Sequence, residues 1–329
     1  MTSNNSYTAR FVAFSLLLSF VSCSKTYESE LPSITTIAVS NADFSTLEGA
    51  AIRGEVAITL SNKNPNDAAG NYTVFAPNNA AFARLGLTNV ADLKVLQVLF
   101  LNHTLWYHAS NGNLAGRSIA QNDASISCST IKRRFIFRGA DRYINGSKII
   151  ATDIAASNGT VHVIDKVLLA TGVDIVQSAL ALRDAKVFTS PELSFLDEAL
   201  VYTDLTAALT AAANSPSFTV FAPTDAAFKE LGALLGVPLS TPSDIRKLPK
   251  ETVKQVLLNH VVNDSGKFTS EMNAGNITPL GGTALTIGAF NNGVLTIKGK
   301  NNTVAANMVI PDVQTLNGIV HVIDRVLLP

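Results

Sequence analysis

The sequence predicts an α+β fold built as two tandem modules, and three observations carry that prediction. The twelve residues from Asn158 to Leu169 return as Asn317 to Leu328 with ten identities. Thr73-Val74-Phe75-Ala76-Pro77 returns as Thr219-Val220-Phe221-Ala222-Pro223, each followed by Ala-Ala-Phe and then Leu-Gly at one spacing. Between these signatures, helix-period apolar stripes come first in each half and β-rich runs come second. A weaker pair, Leu101-Asn102-His103 and Leu258-Asn259-His260, keeps the same order. Modules of about 140–160 residues are large enough for independent cores.

The chain is expected to divide as 1–22, a signal peptide; 23–33, a lipidated tether; 34–170, the first module; and 171–329, the second. In the leader Arg10 is the only charge, and the apolar run from Phe11 to Val21 is shorter than the roughly 20 residues a bilayer needs. Ser22 before Cys23 fits a bacterial lipoprotein signal, in which the Cys23 thiol is acylated and becomes the mature N-terminus. Phe20 departs from the leucine usual three residues before that cysteine. The polar stretch from Ser24 to Ser33 reads as a tether. Cys128 then has no disulfide partner and reads as a buried, inert thiol in a strand.

Each module opens with helices. Phe44, Leu47 and Ala51 share a face after Asn41; Leu193, Leu196 and Leu200 do so after a Ser190 cap and Pro191. The Thr-Val-Phe-Ala-Pro strand ends at its proline. Asn78 or Thr224 then caps a helix that buries Phe82 or Phe228 and ends at Gly86 or Gly232. A further helix presents Val95, Leu99 and His103 in module one, and Val253, Val256, Leu257 and His260 in module two. Lys132-Arg133-Arg134 reads as a solvated turn before the strand Phe135-Ile136-Phe137. Asn145-Gly146 reads as a hairpin turn, Asn291-Asn292-Gly293 as a second, and each Asn-Gly before the closing strand as a tight turn.

These two signatures, in order and present twice, resemble the fasciclin-like adhesion domain, and the resemblance covers nearly the whole chain after the leader. It implies tandem domains, each a β-sandwich-like wedge with several short helices. It also implies adhesion to extracellular or cell-surface protein, matrix or glycan, and no known chemistry. His103 and His260 fall where the family has its central histidine, a region linked to integrin binding in some animal relatives. The residues before them, Asn102 and Asn259, are not the aromatic commonly found there.

No catalytic motif, cofactor fingerprint or metal-ligand spacing appears. His162 and His321 read as hydrogen-bonded core residues, with the start of the Thr224-Asp225 helix a candidate partner for His321. Removing residues 1–22 takes one Arg from 25 basic residues and leaves 24 against 25 acidic, so no nucleic-acid footprint is present. The expected function is an envelope-anchored adhesion protein, lipid-anchored and placed at the outer membrane. The alternative is a glycan-capture lipoprotein of a polysaccharide uptake system, for which Trp106 and Tyr107 would be the aromatic platform. His103, Trp106, Tyr107 and His260 are the candidate binding residues.

Overall fold

The computed structural model describes residues 31–184, 193–210, 217–291 and 293–329. The leader, Cys23 and the Ser190-Pro191 cap lie outside the described residues. Module one runs α1 (Ile34–Ser40), α2 (Ser45–Arg53), α3 (Ala57–Ser61), β1 (Tyr72–Pro77), α4 (Asn79–Ala83), α5 (Val98–His108), β2 (Ala109–Asn111), β3 (Ala124–Ile126), β4 (Lys132–Arg138), β5 (Asp141–Ile144), β6 (Ser147–Ala156) and β7 (Gly159–Ile164). After β8 (Leu169–Ala170), module two repeats the plan. It has α6 (Ile175–Asp184), α7 (Ser194–Tyr202), α8 (Thr206–Leu209), β9 (Phe218–Pro223), α9 (Asp225–Leu235), α10 (Lys250–Leu258), β10 (Val261–Asn263), β11 (Gly275–Ile277), β12 (Leu285–Ile287), β13 (Thr296–Lys298), β14 (Ala306–Gln314) and β15 (Gly318–Ile323).

The two repeated signatures are neighbours in space. The sheet order is β2-β1-β7-β6-β5-β4-β3, and β10-β9-β15-β14-β13-β12-β11 in module two. β1 pairs parallel with β7 from Tyr72↔Gly159 to Pro77↔Ile164, and β9 pairs parallel with β15 in the same way. The other pairs along each sheet are antiparallel. Every residue of β1 and β9 is buried. Such a strand reads as a continuous apolar run because both faces are covered. Alternate side chains serve opposite faces. Val74 and Val161 pack with Phe44, Phe82 and Leu105 under the helices, while Phe75 and Ile164 pack with Tyr107, Phe135 and Ile144 across the sheet.

Local chemistry matches much of the sequence reading. Asn78 accepts from Ala81 N at 2.9 Å and Thr224 from Ala227 N at 3.2 Å, as N-caps. Asn145 (φ +52°) and Gly146 turn β5 into β6. The repeated asparagine of each Asn-Gly does more than turn the chain. Asn158 Oδ1 accepts from Ile34 N at 3.0 Å and its amide donates to Leu60 O and Asn62 O. Asn317 repeats this with Ile175 N and Leu209 O, so each closing turn clasps the opening helices of its own module.

Four local expectations are corrected. Gly232 lies inside α9, which continues to Leu235 and ends at Gly236 (φ +65°), because module two spends extra residues lengthening this helix. Lys132-Arg133-Arg134 is not a solvated turn: β4 starts at Lys132, and alternation turns Arg133 fully inward. The α5 stripe is Leu101, Leu105 and His108; Val95 ends a separate turn before the helix begins at Val98, and Leu99 lies on the opposite, solvent-facing side, 84 % exposed. Cys128 sits half-buried in the turn after β3 rather than in a strand, with its thiol donating to the Asn111 side-chain Oδ1 at 3.5 Å.

Candidate functional site at the junction of the modules

The closing-strand histidines are fixed core residues. His162 Nδ1 accepts from Asp153 N at 3.2 Å, and Nε2 donates to Leu114 O at 2.9 Å. His321 repeats this with Asp312 N at 3.1 Å and Lys267 O at 2.9 Å. Burial pushes both pKa values down, so both rings stay neutral. The partner at the α9 start is therefore corrected: Asp225 instead accepts from Phe195 N at 2.9 Å and Ser194 Oγ at 2.5 Å, capping α7.

The central histidine is also corrected. His260 Nε2 accepts from Leu327 N at 2.8 Å, and Nδ1 donates to Val256 O at 2.7 Å. In module one His108 makes these bonds, with Leu168 N at 2.9 Å and Thr104 O at 2.7 Å. His103 is instead half-buried beside Gly172. The shared Leu-Asn-His string is a local coincidence; the buried stripe of α5 sets the true alignment. The aromatic residue that seemed missing is then present, as Tyr107 directly before His108. Burial holds both His108 and His260 down at about 4.

Tyr107 does not face solvent. Its side chain is fully buried, and its hydroxyl donates to Gln314 Oε1 of module two at 2.5 Å while accepting from Asn145 Nδ2 at 2.7 Å. Trp106 is partly buried against the helical core. His260 is buried deep in module two. The structure thus disperses the four sequence candidates, and the aromatic platform of the glycan alternative is not formed.

What the structure builds instead is a junction. β8 adds to β14 in parallel, Leu169 opposite Val313, so the connection between modules is itself a strand of the second sheet. Lys166 Nζ reaches Asp312 Oδ2 at 2.9 Å and Thr269 Oγ1 at 3.0 Å, with the lysine and aspartate side chains 8 % and 9 % exposed. Asp312 also accepts from Thr269 N at 2.6 Å. Burial alone would raise the Asp312 pKa, but the Lys166 ammonium beside it holds the carboxyl below its usual range. The aspartate stands at a β14 bulge with φ +67°. Asp153, at the matching bulge of β6, caps Gly116 N at 2.7 Å, just as Asp312 caps Thr269. A Cβ at Gly146 would overlap the Asp312 carboxylate, so glycine is required there.

Two arginines of β4 complete the seam. Arg134 donates to Gly266 O and Glu271, both at 2.7 Å, and lies over the Phe268 ring. Arg138 donates to Ser270 O at 3.0 Å and Met272 O at 2.8 Å, and lies 4.2 Å from the Phe290 ring centroid. Ile136 and Tyr143 of module one pack with Phe268 and Ile319 of module two. Beside this seam opens a groove of about 580 Å³, lined from module one by Asn122, Phe137 and Arg138 and from module two by Ser270, Glu271 and Asn273. Its size is in the range of ligand sites. Sequence reading missed these residues, because they come together only across the two modules. Arg134 and Arg138, four residues apart and so on one face of β4, were the one available signal.

The Fasciclin domain model matches residues 42–170 and 191–329. Transforming growth factor-beta-induced protein ig-h3 of Sus scrofa is 28 % identical over 264 residues, covering 79 % of this chain and 35 % of that protein. Periostin of Homo sapiens is 28 % identical over 268 residues, covering 79 % and 28 %. Protein sll1483 of Synechocystis sp. is 37 % identical over 138 residues, covering 41 % and 72 %. The chain thus spans about a third of the length of the two animal relatives. A solved FAS1 domain pair from the insect cell adhesion molecule fasciclin I matches with a TM-score of 0.37 and 21 % identity, covering 79 % of this chain and 89 % of that one. The matched ranges contain both signatures and both sheets, and the chain belongs to the fasciclin domain family as a tandem pair.

Proposed function

We propose that this chain is an adhesion protein of the bacterial cell envelope, anchored at the outer membrane through a lipid on Cys23. In this reading the docked pair of modules contacts extracellular protein, matrix or glycan. The observation that carries it is the junction: a buried ion pair and a shared strand hold two binding modules in one geometry, and the open groove draws side chains from both. A rigid pair presents a composite surface without the ordering cost that a flexible linker would add on binding. The asparagine and histidine of each closing signature, Asn158 with His162 and Asn317 with His321, are all committed to fold contacts, which supports a binding role over a catalytic one.

The test has two arms. A mass spectrum of the membrane-extracted protein should show a diacylated fragment starting at Cys23, absent from Cys23→Ala; an unlipidated chain in the soluble fraction would remove the anchor. Binding of the mature chain to immobilised matrix proteins and a glycan array should fall roughly tenfold or more in Asn273→Trp, which fills the groove from an exposed position. Equal binding by that variant would move the contact elsewhere.

A further inference from the structure

Module one contains an apolar cavity that module two has closed. It lies between α1, α2 and β1, holds about 180 Å³, and is lined by residues including Ile34, Ala38, Leu47, Ala51, Val74 and Phe75. The matching place in module two, lined by Ile175, Ala179, Leu196, Leu200, Val220 and Phe221, holds only about 30 Å³. The core-facing residues Ile34, Ala38, Leu47, Leu60, Val74, Phe75, Leu105 and His108 recur in module two as Ile175, Ala179, Leu196, Leu209, Val220, Phe221, Leu257 and His260, whereas Leu200 replaces Ala51, Leu205 replaces Val56 and Val176 replaces Thr35. Leu200 is 4 % exposed and joins the core cluster, so the second module fills with side chain what the first leaves open.

The chemistry of the walls selects a ligand. His108 reaches the cavity floor, but both of its ring nitrogens are already bonded to the backbone, so the floor makes no polar demand. At the mouth stand Val39, 56 % exposed, and Ile52, 63 % exposed, around the Glu48 carboxylate, which has no ion partner among the described residues. An engineered apolar cavity of about 150 Å³ binds benzene or xenon. We propose that module one binds the alkyl end of a small amphiphile, about six carbons long, with an uncharged or cationic head at Glu48. Burying such a chain contributes roughly 0.8 kcal/mol per methylene before binding costs, while an anionic head would meet Glu48 directly.

The experiment titrates hexan-1-ol, hexylamine and hexanoate into the mature full-length chain and follows the methyl region by NMR. The alcohol and the amine should shift the Ile34, Leu47 and Val74 methyls, and hexanoate should bind roughly tenfold more weakly. Glu48→Gln should erase the preference for amine over acid. Ala51→Leu, which gives module one the side chain that module two carries, should abolish the shifts. Methyl shifts that persist unchanged in Ala51→Leu would overturn the site, as would their absence at millimolar probe. Should that variant fail to fold, xenon under pressure decides on the wild type: xenon in this cavity supports the site, and its exclusion overturns it.

Discussion

Lys166 of the first module and Asp312 of the second form a buried ion pair, 2.9 Å apart, at the centre of the contact between the modules. Each is the kind of residue that a sequence assigns to the surface. Here the aspartate is held by Thr269 as well, so the lysine enters a site whose remaining acceptors are already oriented. Asp312→Asn leaves the ammonium buried without its counter-charge and should cost about 3–5 kcal/mol. Lys166→Met in that background should recover part of the loss. A urea midpoint series across this double-mutant cycle checks it, and strictly additive losses would show that the pair is not coupled.

The junction should make the modules unfold together. Trp106 is the sole tryptophan and sits in module one, so its fluorescence reports that module, whereas far-UV circular dichroism reports both. The two transitions should coincide in the wild type and separate in Asp312→Asn. Separated transitions in the wild type would mean that the seam is too weak to couple the modules.

Tyr107→Phe removes the hydroxyl that accepts from Asn145 and donates to Gln314, and leaves only the longer 3.3 Å bond from Asn145 Nδ2 to Gln314 Oε1 between them. A loss of about 1–3 kcal/mol is expected. Its readout is the denaturant midpoint. An unchanged midpoint would remove the hydroxyl from the list of contacts that hold the seam.

Acid should destabilise the fold through His108 and His260. Both folded-state values are about 4, below the roughly 6.5 of an unfolded chain. The folded protein therefore binds fewer protons in that window. Stability is fully present above about pH 6.5 and falls as pH drops toward 4, by up to about 3 kcal/mol per histidine. Asp312 adds a further loss below the ordinary carboxylate range, because its folded value is depressed. Midpoints measured between pH 7.5 and 4.5 test this, and His260→Gln should flatten the slope. A flat wild-type profile would contradict the neutral, doubly bonded rings.

Phe82→Ala and Phe228→Ala should each cost about 3–5 kcal/mol, since both rings are nearly fully buried and Phe228 stacks on Phe195. A variant with the wild-type midpoint would show that its core collapses onto the space.

The two modules, their order and their α+β character are legible in the sequence because they rest on local rules. Proline stops β1 and β9, Asn78 and Thr224 cap the helices after them, and continuous runs rich in β-branched and aromatic residues make these strands. The parallel pairing of β1 with β7 is not legible, because no local pattern states which strand lies beside which. Nor is the equivalence of His108 with His260, which follows from the buried face of α5 and not from the Leu-Asn-His string. Tyr107 illustrates the same limit: an aromatic residue looks alike to the sequence whether it faces a ligand or Gln314. Sequence alone determined the repeat, the strand and helix signals, and the leader with Cys23 as an expectation. The tertiary structure decided the junction, the seam groove and the open cavity. Each depends on residues far apart in the chain meeting in low-dielectric surroundings, where a lysine pairs with an aspartate and one alanine in place of leucine leaves space.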